Sequence, residues 1–219
     1  MISAHWKDGR SFIPQKILCV AKNYLEHAKE MGDGVPEEPV FFLKPNSALV
    51  PAGAAVPKPA WTNDLQHEVE LAVRIGHQCS RVHVDKALAM VDGYAVGLDF
   101  TARDVQRALK AAGLPWEKAK AYDGSCALSP FVSAAEVNPH FPLELILDVN
   151  GQRRQQGTTQ QMIHDIAKLV AHASTYFTLH PGDVLLTGTP AGVGTLVPGD
   201  LVYAAVAGVA DLQLTIQEA

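Results

Sequence analysis

The sequence predicts an α+β fold in which a curved sheet or barrel-like roll carries a few peripheral helices. Three observations predict it. Short β-rich runs recur along the whole chain, helical periodicity is confined to a few stretches, and the two do not alternate as regular βαβ units would. Turn signals that launch strands are also frequent: Asn150-Gly151 in "LELILDVNGQ", and Pro-Gly-Asp at 181 to 183 and again at 198 to 200.

Taken in order, "KILCVA" at 16 to 21 reads as a strand, and "NYLEHAKEMG" as one or two helical turns that stop at Gly32. Six prolines between Pro36 and Pro59 forbid a helix there. The same stretch carries "VFFLKP", whose apolar run is expected to be buried, so irregular strands and turns crossing a core are predicted, not a linker. "EVELAVRIG" at 68 to 76 alternates as a strand, a helix is expected over 84 to 91, and "GYAVGLDF" at 93 to 100 is a second strand. "TARDVQRALKAAG" has the form of a helix with Thr101 as N-cap and Gly113 as its end. The Asn-Gly turn joins "LELILDV" to a return strand over Gln152 to Gln155. The longest helix is signalled by Met162, Ile163, Ile166, Leu169, Val170, Ala173 and Phe177, following a start at Thr158 or Thr159. "VLLTG" and "LVYAAV" are the strands launched by the two Pro-Gly-Asp turns.

Composition narrows the function. The chain has 219 residues, 47% hydrophobic and 19% charged, which suits one globular domain and excludes a disordered chain. A net charge of -5 with scattered Lys and Arg offers no surface for nucleic acid or anionic lipid. No apolar run approaches the roughly 20 residues of a membrane helix, and "MISAHWKDGRSFIPQ" lacks a signal-peptide core. A soluble, cytoplasmic protein is expected, with Cys19, Cys79 and Cys126 as reduced thiols because no CxxC spacing occurs.

Residues i and i+2 of a strand share a face about 6.6 to 6.8 Å apart, so Glu68 and Glu70 point together, away from Val69, Leu71 and Val73. Two readings are open: the wet face of a sheet, or the floor of a polar pocket, with Arg74 marking where that pocket meets water. In "YAVGLDF", Asp99 shares a face with Ala95 and Gly97, small residues that leave room for something to approach. If the two strands are neighbours, three carboxylates converge, which requires a proton or a cation between them. An all-oxygen set favours Mg²⁺, Mn²⁺ or Ca²⁺ over zinc.

His27 and Glu30, three apart on a helix, can pair so that the carboxylate fixes the imidazole tautomer and leaves the other nitrogen as a base; a surface pair is the alternative. "LLTGTPAGVGT" is neither a Walker loop nor a dinucleotide fingerprint; it is a tight turn, or a cradle for a carboxylate through backbone N–H groups and the hydroxyls of Thr187 and Thr189. Lys44 and Lys120 interrupt apolar or aromatic stretches, where most lysines snorkel to water and a few are held in pockets to meet acidic substrates.

"KNYLEHAKEMG", "EEPVFFLKP", "HEVELAVRIG", "GLDFTARDVQ", "GLPWEKAKAYDGSC", "QQGTTQQMIHD" and "GDVLLTGTPAGVG" occur in that order. Together they resemble the fumarylacetoacetate hydrolase family, in particular its small members. The resemblance implies a mixed β-roll with peripheral helices over residues 16 to 219, with 1 to 15 as a flank, and a homodimer. It implies a Mg²⁺ or Mn²⁺ site, able to accept Ca²⁺, formed by Glu68, Glu70 and Asp99. It implies that His27 and Glu30 activate water, that Lys120 sits on the substrate, and that Thr189 contacts its carboxylate end. Lys44, Arg103 and Gln106 match positions lining or supporting the same pocket. One departure is Ala21, where many members have Gly.

A 2-keto acid is a natural bidentate ligand for a hard cation, which polarises its carbonyl and favours an enolate. The expected reaction is hydrolysis of an acylpyruvate-type 2,4-diketo acid, for example fumarylpyruvate, in aromatic-compound breakdown. The alternative is oxaloacetate decarboxylation or keto-enol tautomerisation, or isomerisation of 2-hydroxyhepta-2,4-diene-1,7-dioate. A non-catalytic, metal-stabilised binding module is the reading from another class, and it leaves the His27 and Glu30 pair without a use.

Overall fold

The computed structural model of the chain describes residues 1–32 and 34–218. A short hairpin of β1 (Ala4–His5) and β2 (Ser11–Phe12) opens the fold, and Trp6 and Phe12 meet Phe131 edge-on at 6.1 and 5.4 Å between ring centroids. β3 (Ile17–Ala21) and α1 (Leu25–Glu30) follow where the sequence places them, α1 ending at Met31 and Gly32. The proline-rich stretch forms β4 (Val40–Lys44), a 3-10 turn at Asn46–Ala48 and β5 (Val56–Lys58). Burial within "VFFLKP" is the reverse of expectation. β4 lies at a sheet edge, so Val40 and Leu43 are exposed, whereas Lys44 is buried.

"HEVELAVRIG" is split into β6 (Leu65–His67) and β7 (Val69–Ile75), with Glu68 at the break. After α2 (Val84–Ala87) and a 3-10 turn at Leu88–Met90 comes β8 (Val91–Asp99), and past Phe100 the chain continues as β9 (Thr101–Ala102). α3 (Arg103–Ala111) therefore starts two residues beyond Thr101, which belongs to β9 and is not its cap; no side chain caps this end. α4 (Glu117–Lys120), β10 (Cys126–Leu128) and β11 (Val132–Ser133) lead to the hairpin of β12 (Glu144–Val149) and β13 (Gln152–Thr158). Asn150 and Gly151 both have positive φ, 52° and 75°, which matches the twist of the flanking strands.

The longest helix, α5 (Ile166–Tyr176), starts later than Thr158 or Thr159, because Asp165 caps it by accepting the Lys168 N–H at 2.8 Å and residues 159–161 form a separate 3-10 turn. β14 (Val184–Leu186), β15 (Gly194–Thr195), β16 (Leu201–Val206) and β17 (Ala210–Glu218) complete the chain.

β10, β8, β7, β14, β3 and β4 lie in that order in one sheet, with β11 also on β8; β13, β12, β16, β17 and β5 form a second, and β15, β6 and β9 a third. The β14–β3 and β17–β5 pairs are parallel and the rest antiparallel, so the fold is the mixed, strand-rich α+β roll that the sequence implies. One face of β7 and β8, with Val69, Leu71, Val73, Val96 and Leu98, packs into the main core. Ala72 and Ala95, on the other face, join a smaller core with Leu186, Cys126 and Phe131. A Cβ on Gly97 would lie 2.5 Å from Leu186 Cδ2, so its small size admits β14 and not a ligand. Arg74 does not mark a boundary with water: it pairs with Asp92 and stacks on Trp6 and Phe12 beneath the N-terminal hairpin. Among the described residues no helix is long and apolar enough to cross a membrane.

Candidate active site

Two strand breaks build the centre of the site. β6 and β9 pair in the small sheet while β7 and β8 pair in the large one, so Glu68 and Asp99 occupy matching positions where the chain steps between sheets. The Asp99 N–H donates to the Glu68 carbonyl at 2.9 Å, and Glu70 lies one strand step along, opposite Gly97. Each of the three carboxyl groups thus offers an oxygen within 4.8 Å of the others, and all three are buried. Glu68 and Glu70 are buried and line a pocket, and this part of the strand is not a wet face.

Buried like charges need compensation, and the cations present supply it unevenly. Lys120 Nζ donates to Glu68 Oε2 and Asp99 Oδ2, both at 2.7 Å. Arg103 Nη2 binds Glu68 Oε1, while its Nε and Nη1 donate to Gln66 Oε1 and Gln106 Oε1 at 2.8 and 2.6 Å. Lys44 Nζ is an ion-pair contact 2.7 Å from Asp99 Oδ1, not aligned as a hydrogen bond, and donates to the Ser125 carbonyl at 2.9 Å and to the Lys120 carbonyl. Burial opposes ionisation of Glu68, but Lys120 and Arg103 outweigh it and hold its carboxyl well below the usual range. Glu70 accepts the Gly188 N–H at 2.5 Å, and burial followed by the charges of Asp99 and Glu68 pushes its carboxyl well up. A divalent cation among the three would supply the charge that Glu70 requires, and the all-oxygen donor set suits a hard ion. The residues fit such a metal.

His27 faces the same pocket and is paired with Glu30. His27 Nδ1 and Glu30 Oε2 are 3.1 Å apart, and His27 lines the pocket together with Glu68, Glu70, Arg103, Gln106 and Lys120. Nδ1 against a carboxylate is assigned as the N–H, which leaves Nε2 as the basic nitrogen. Glu30 is held from its other side, where Oε1 accepts the Gly192 N–H at 3.0 Å. Helix α1 and the glycine-rich loop thus share one carboxylate.

That loop is strapped along β7. Thr187 Oγ1 donates to the Leu71 carbonyl at 3.0 Å and Thr189 Oγ1 to the Val69 carbonyl at 2.8 Å. Thr189 lines the pocket, but its hydroxyl is engaged with β7 and with Gln155. Lys44 lies behind Asp99 in a support position and is not among the lining residues.

Three contributors escaped sequence reasoning. Gln155 is fully buried in the return strand; its Oε1 accepts from His67 Nδ1 at 2.9 Å and the Val69 N–H at 3.1 Å, and its Nε2 donates to Thr189 Oγ1 and the Pro190 carbonyl, both at 2.8 Å. Nothing in "QRRQQG" distinguishes it from its exposed neighbours. Lys110 also lines the pocket, and its signal was available: with Arg103 and Gln106 it falls at i, i+3 and i+7, one face of α3. Lys22, the third, lines the pocket from the end of β3.

The chain is similar to known proteins over most of its length. A family model described as fumarylacetoacetate (FAA) hydrolase C-terminal matches residues 16–217. Oxaloacetate tautomerase YcgM of Escherichia coli (strain K12) is 54% identical over 190 residues, covering 84% of this chain and 85% of that protein. A mitochondrial oxaloacetate tautomerase of Bos taurus is 42% identical over 216 residues, 99% and 96% of the two chains. The crystal structure of fumarylpyruvate hydrolase from Pseudomonas aeruginosa in complex with Mn²⁺ and pyruvate superposes with a TM-score of 0.94 at 35% identity, covering 100% of this chain and 96% of that one.

Proposed function

Because the chain belongs to the fumarylacetoacetate hydrolase family, we propose that it is a metal-dependent enzyme that hydrolyses the carbon–carbon bond of an acylpyruvate-type 2,4-diketo acid. The products would be pyruvate and a carboxylic acid. One observation carries this reading: Glu68 and Glu70 of the buried carboxylate triad line one pocket with His27, whose Nδ1 is 3.1 Å from Glu30 Oε2, an acid–base pair that a purely structural ion would not require.

Glu68, Glu70 and Asp99 would hold Mg²⁺ or Mn²⁺, which supplies a Lewis acid for the 2-keto oxygen of the substrate. The neighbouring structure, named for a complex with Mn²⁺ and pyruvate, supports that choice of ion and product. Glu30 holds the Nδ1 proton of His27, so Nε2 takes a proton from water and directs the hydroxide onto the distal carbonyl. The bond between that carbonyl carbon and C3 then breaks, its electron pair passing to the pyruvate enolate while the acyl carbon leaves as the acid. The imidazolium returns its proton to C3. Lys120, inside the pocket, balances the negative charge that develops on the keto-acid end. Arg103 and Gln106 orient Glu68 and the adjacent wall.

A second reading is keto–enol interconversion of oxaloacetate, favoured by the two curated relatives that carry that name. It shares the enolate and the proton carrier and requires no water. Turnover of acylpyruvates and oxaloacetate by the purified protein with Mg²⁺ and with Mn²⁺, compared by kcat/KM, separates the two. Dominant release of pyruvate from acylpyruvates supports hydrolysis; rapid enol–keto exchange of oxaloacetate with little pyruvate release supports tautomerisation. Inactivity on both acids with either ion would overturn both readings. A homodimer in the cytoplasm is part of the proposal, the former testable by size-exclusion chromatography with light scattering.

A further inference from the structure

Lys22 combines an unusual backbone with a place on the pocket wall. Its φ is 60°, and of the non-glycine residues with positive φ among those described, Lys22, Arg81 and Asn150, it alone lines the pocket. Residues with a Cβ adopt this conformation at a cost, and such outliers persist where the surroundings hold them. The holder is Asn23, which is buried. Its Nδ2 donates to the carbonyls of His164 and Thr187 at 3.0 and 2.8 Å, its Oδ1 accepts the His164 N–H at 2.9 Å, and its own carbonyl accepts the Ile163 N–H at 2.8 Å. Four bonds from two separate segments therefore fix the bend that presents Lys22.

The pocket lining is mostly polar or charged where it is buried and mixed where it is half-buried. At its floor Lys120 and Arg103 are engaged with Glu68 and Asp99, and Lys44 backs Asp99 from behind. Half-buried Met31, Phe42 and Trp116 contribute apolar wall, and half-buried Lys22 and Lys110 add positive charge nearer to solvent than the buried floor cations. A molecule with a keto acid at one end, an apolar or unsaturated middle and a carboxylate at the other finds a complement for each part in that lining. Lys22 is better fixed for this than Lys110, which lies in the last turn of α3.

We propose that Lys22 is a specificity-determining residue that binds the distal carboxylate of a 2-keto diacid, an inference that rests on the 2-keto acid reading of the site. The Mn²⁺-loaded protein is assayed on fumarylpyruvate, which carries a distal carboxylate, and on acetylpyruvate, which does not. A charge-assisted contact of this kind corresponds to roughly ten- to hundredfold in binding. K22Q is therefore expected to lower the ratio of kcat/KM for the diacid over the monoacid by about that factor, mainly through KM, and K22R to keep the ratio. K22G accommodates the positive φ without strain and is expected to fold as well as the parent and still lose the ratio, which guards against misfolding as the cause. An unchanged ratio in K22Q and K22G, with turnover intact, would overturn this inference alone. Absence of turnover of both acylpyruvates by the unmodified protein would overturn the hydrolytic reading and this inference with it.

Discussion

The backbone N–H of Asp99 donates to the carbonyl of Glu68 over 2.9 Å, and this one bond sets the register that gathers the three carboxylates. Glu70, one step along β7, is where that gathering is least compensated, since burial and the charges of Asp99 and Glu68 all disfavour its ionised form. Glu70→Gln keeps the shape and an acceptor for the Gly188 N–H while removing one of three crowded charges. It is expected to leave the metal-free protein as stable as the parent or more so. Affinity for Mn²⁺ is expected to fall by about a hundredfold or more, since even outer-shell changes reach that figure. Thermal melts with and without Mn²⁺, paired with calorimetric titration, read both effects; metal-dependent stabilisation persisting in the variant would remove Glu70 from the site.

Hydrolysis places a demand on His27 that decarboxylation does not, because only the former activates water. His27→Ala is expected to reduce acylpyruvate hydrolysis by roughly 10² to 10⁴, the usual range for a general base. Metal-assisted loss of CO₂ from oxaloacetate would be largely spared, and Mn²⁺ affinity retained. Parallel assays of the two reactions decide the point, and equal losses in both would show that His27 does not serve water activation.

The parts of this architecture that depend on local periodicity were legible before any coordinates. Alternation put Glu68 and Glu70 on one face and Asp99 on its own, and the i, i+3 spacing paired His27 with Glu30. Positions determined by contacts distant in the chain were not. Lys44 sits in an apolar run that periodicity would bury, yet β4 is an edge strand and the lysine is the buried member because Asp99, 55 residues on, draws its ammonium inward. Gln155 was hidden for the same reason, its four partners lying on β6, β7 and the 189–190 turn. Gly97 in the sequence suggests room for a ligand, whereas Leu186 of β14 fills that room, and no local pattern distinguishes the two uses.

Asp104 ties α3 to the preceding loop, accepting from Thr62 Oγ1 at 2.5 Å, the Asn63 N–H at 2.9 Å and the Val105 N–H at 2.9 Å. Partial burial alone would raise its carboxyl, but these bonds outweigh that and hold it below the ordinary 3.8. A folded-state value below the unfolded one means that the contribution to stability is present above the ordinary value and lost as pH falls through the folded one. Urea midpoints are therefore expected to drop between about pH 5 and about pH 3 in the parent and to drop less in Asp104→Asn. At neutral pH the variant should be less stable by about 1 kcal/mol. A pH response identical in the two proteins would show that Asp104 is not a source of the acid sensitivity.

Gly192 connects the loop to the acid–base pair through its N–H on Glu30 Oε1 at 3.0 Å. Its φ is 100°, and a Cβ built there would stand 2.1 Å from the Arg154 carbonyl oxygen, so the backbone must move if any side chain is added. Gly192→Ala would then shift the N–H away from Glu30 and loosen the carboxylate that orients His27. A destabilisation of about 3 kcal/mol is expected, from positive-φ strain and the displaced β13 backbone together. The metal triad stands at the junction of the β6–β9 and β7–β8 pairings and does not depend on this contact. In protein that remains folded, Mn²⁺ affinity should therefore survive while hydrolytic kcat falls. A fall in metal affinity as large as the fall in kcat would mean that the loop supports the triad as a whole, through its bond from Gly188 to Glu70, and not Glu30 alone.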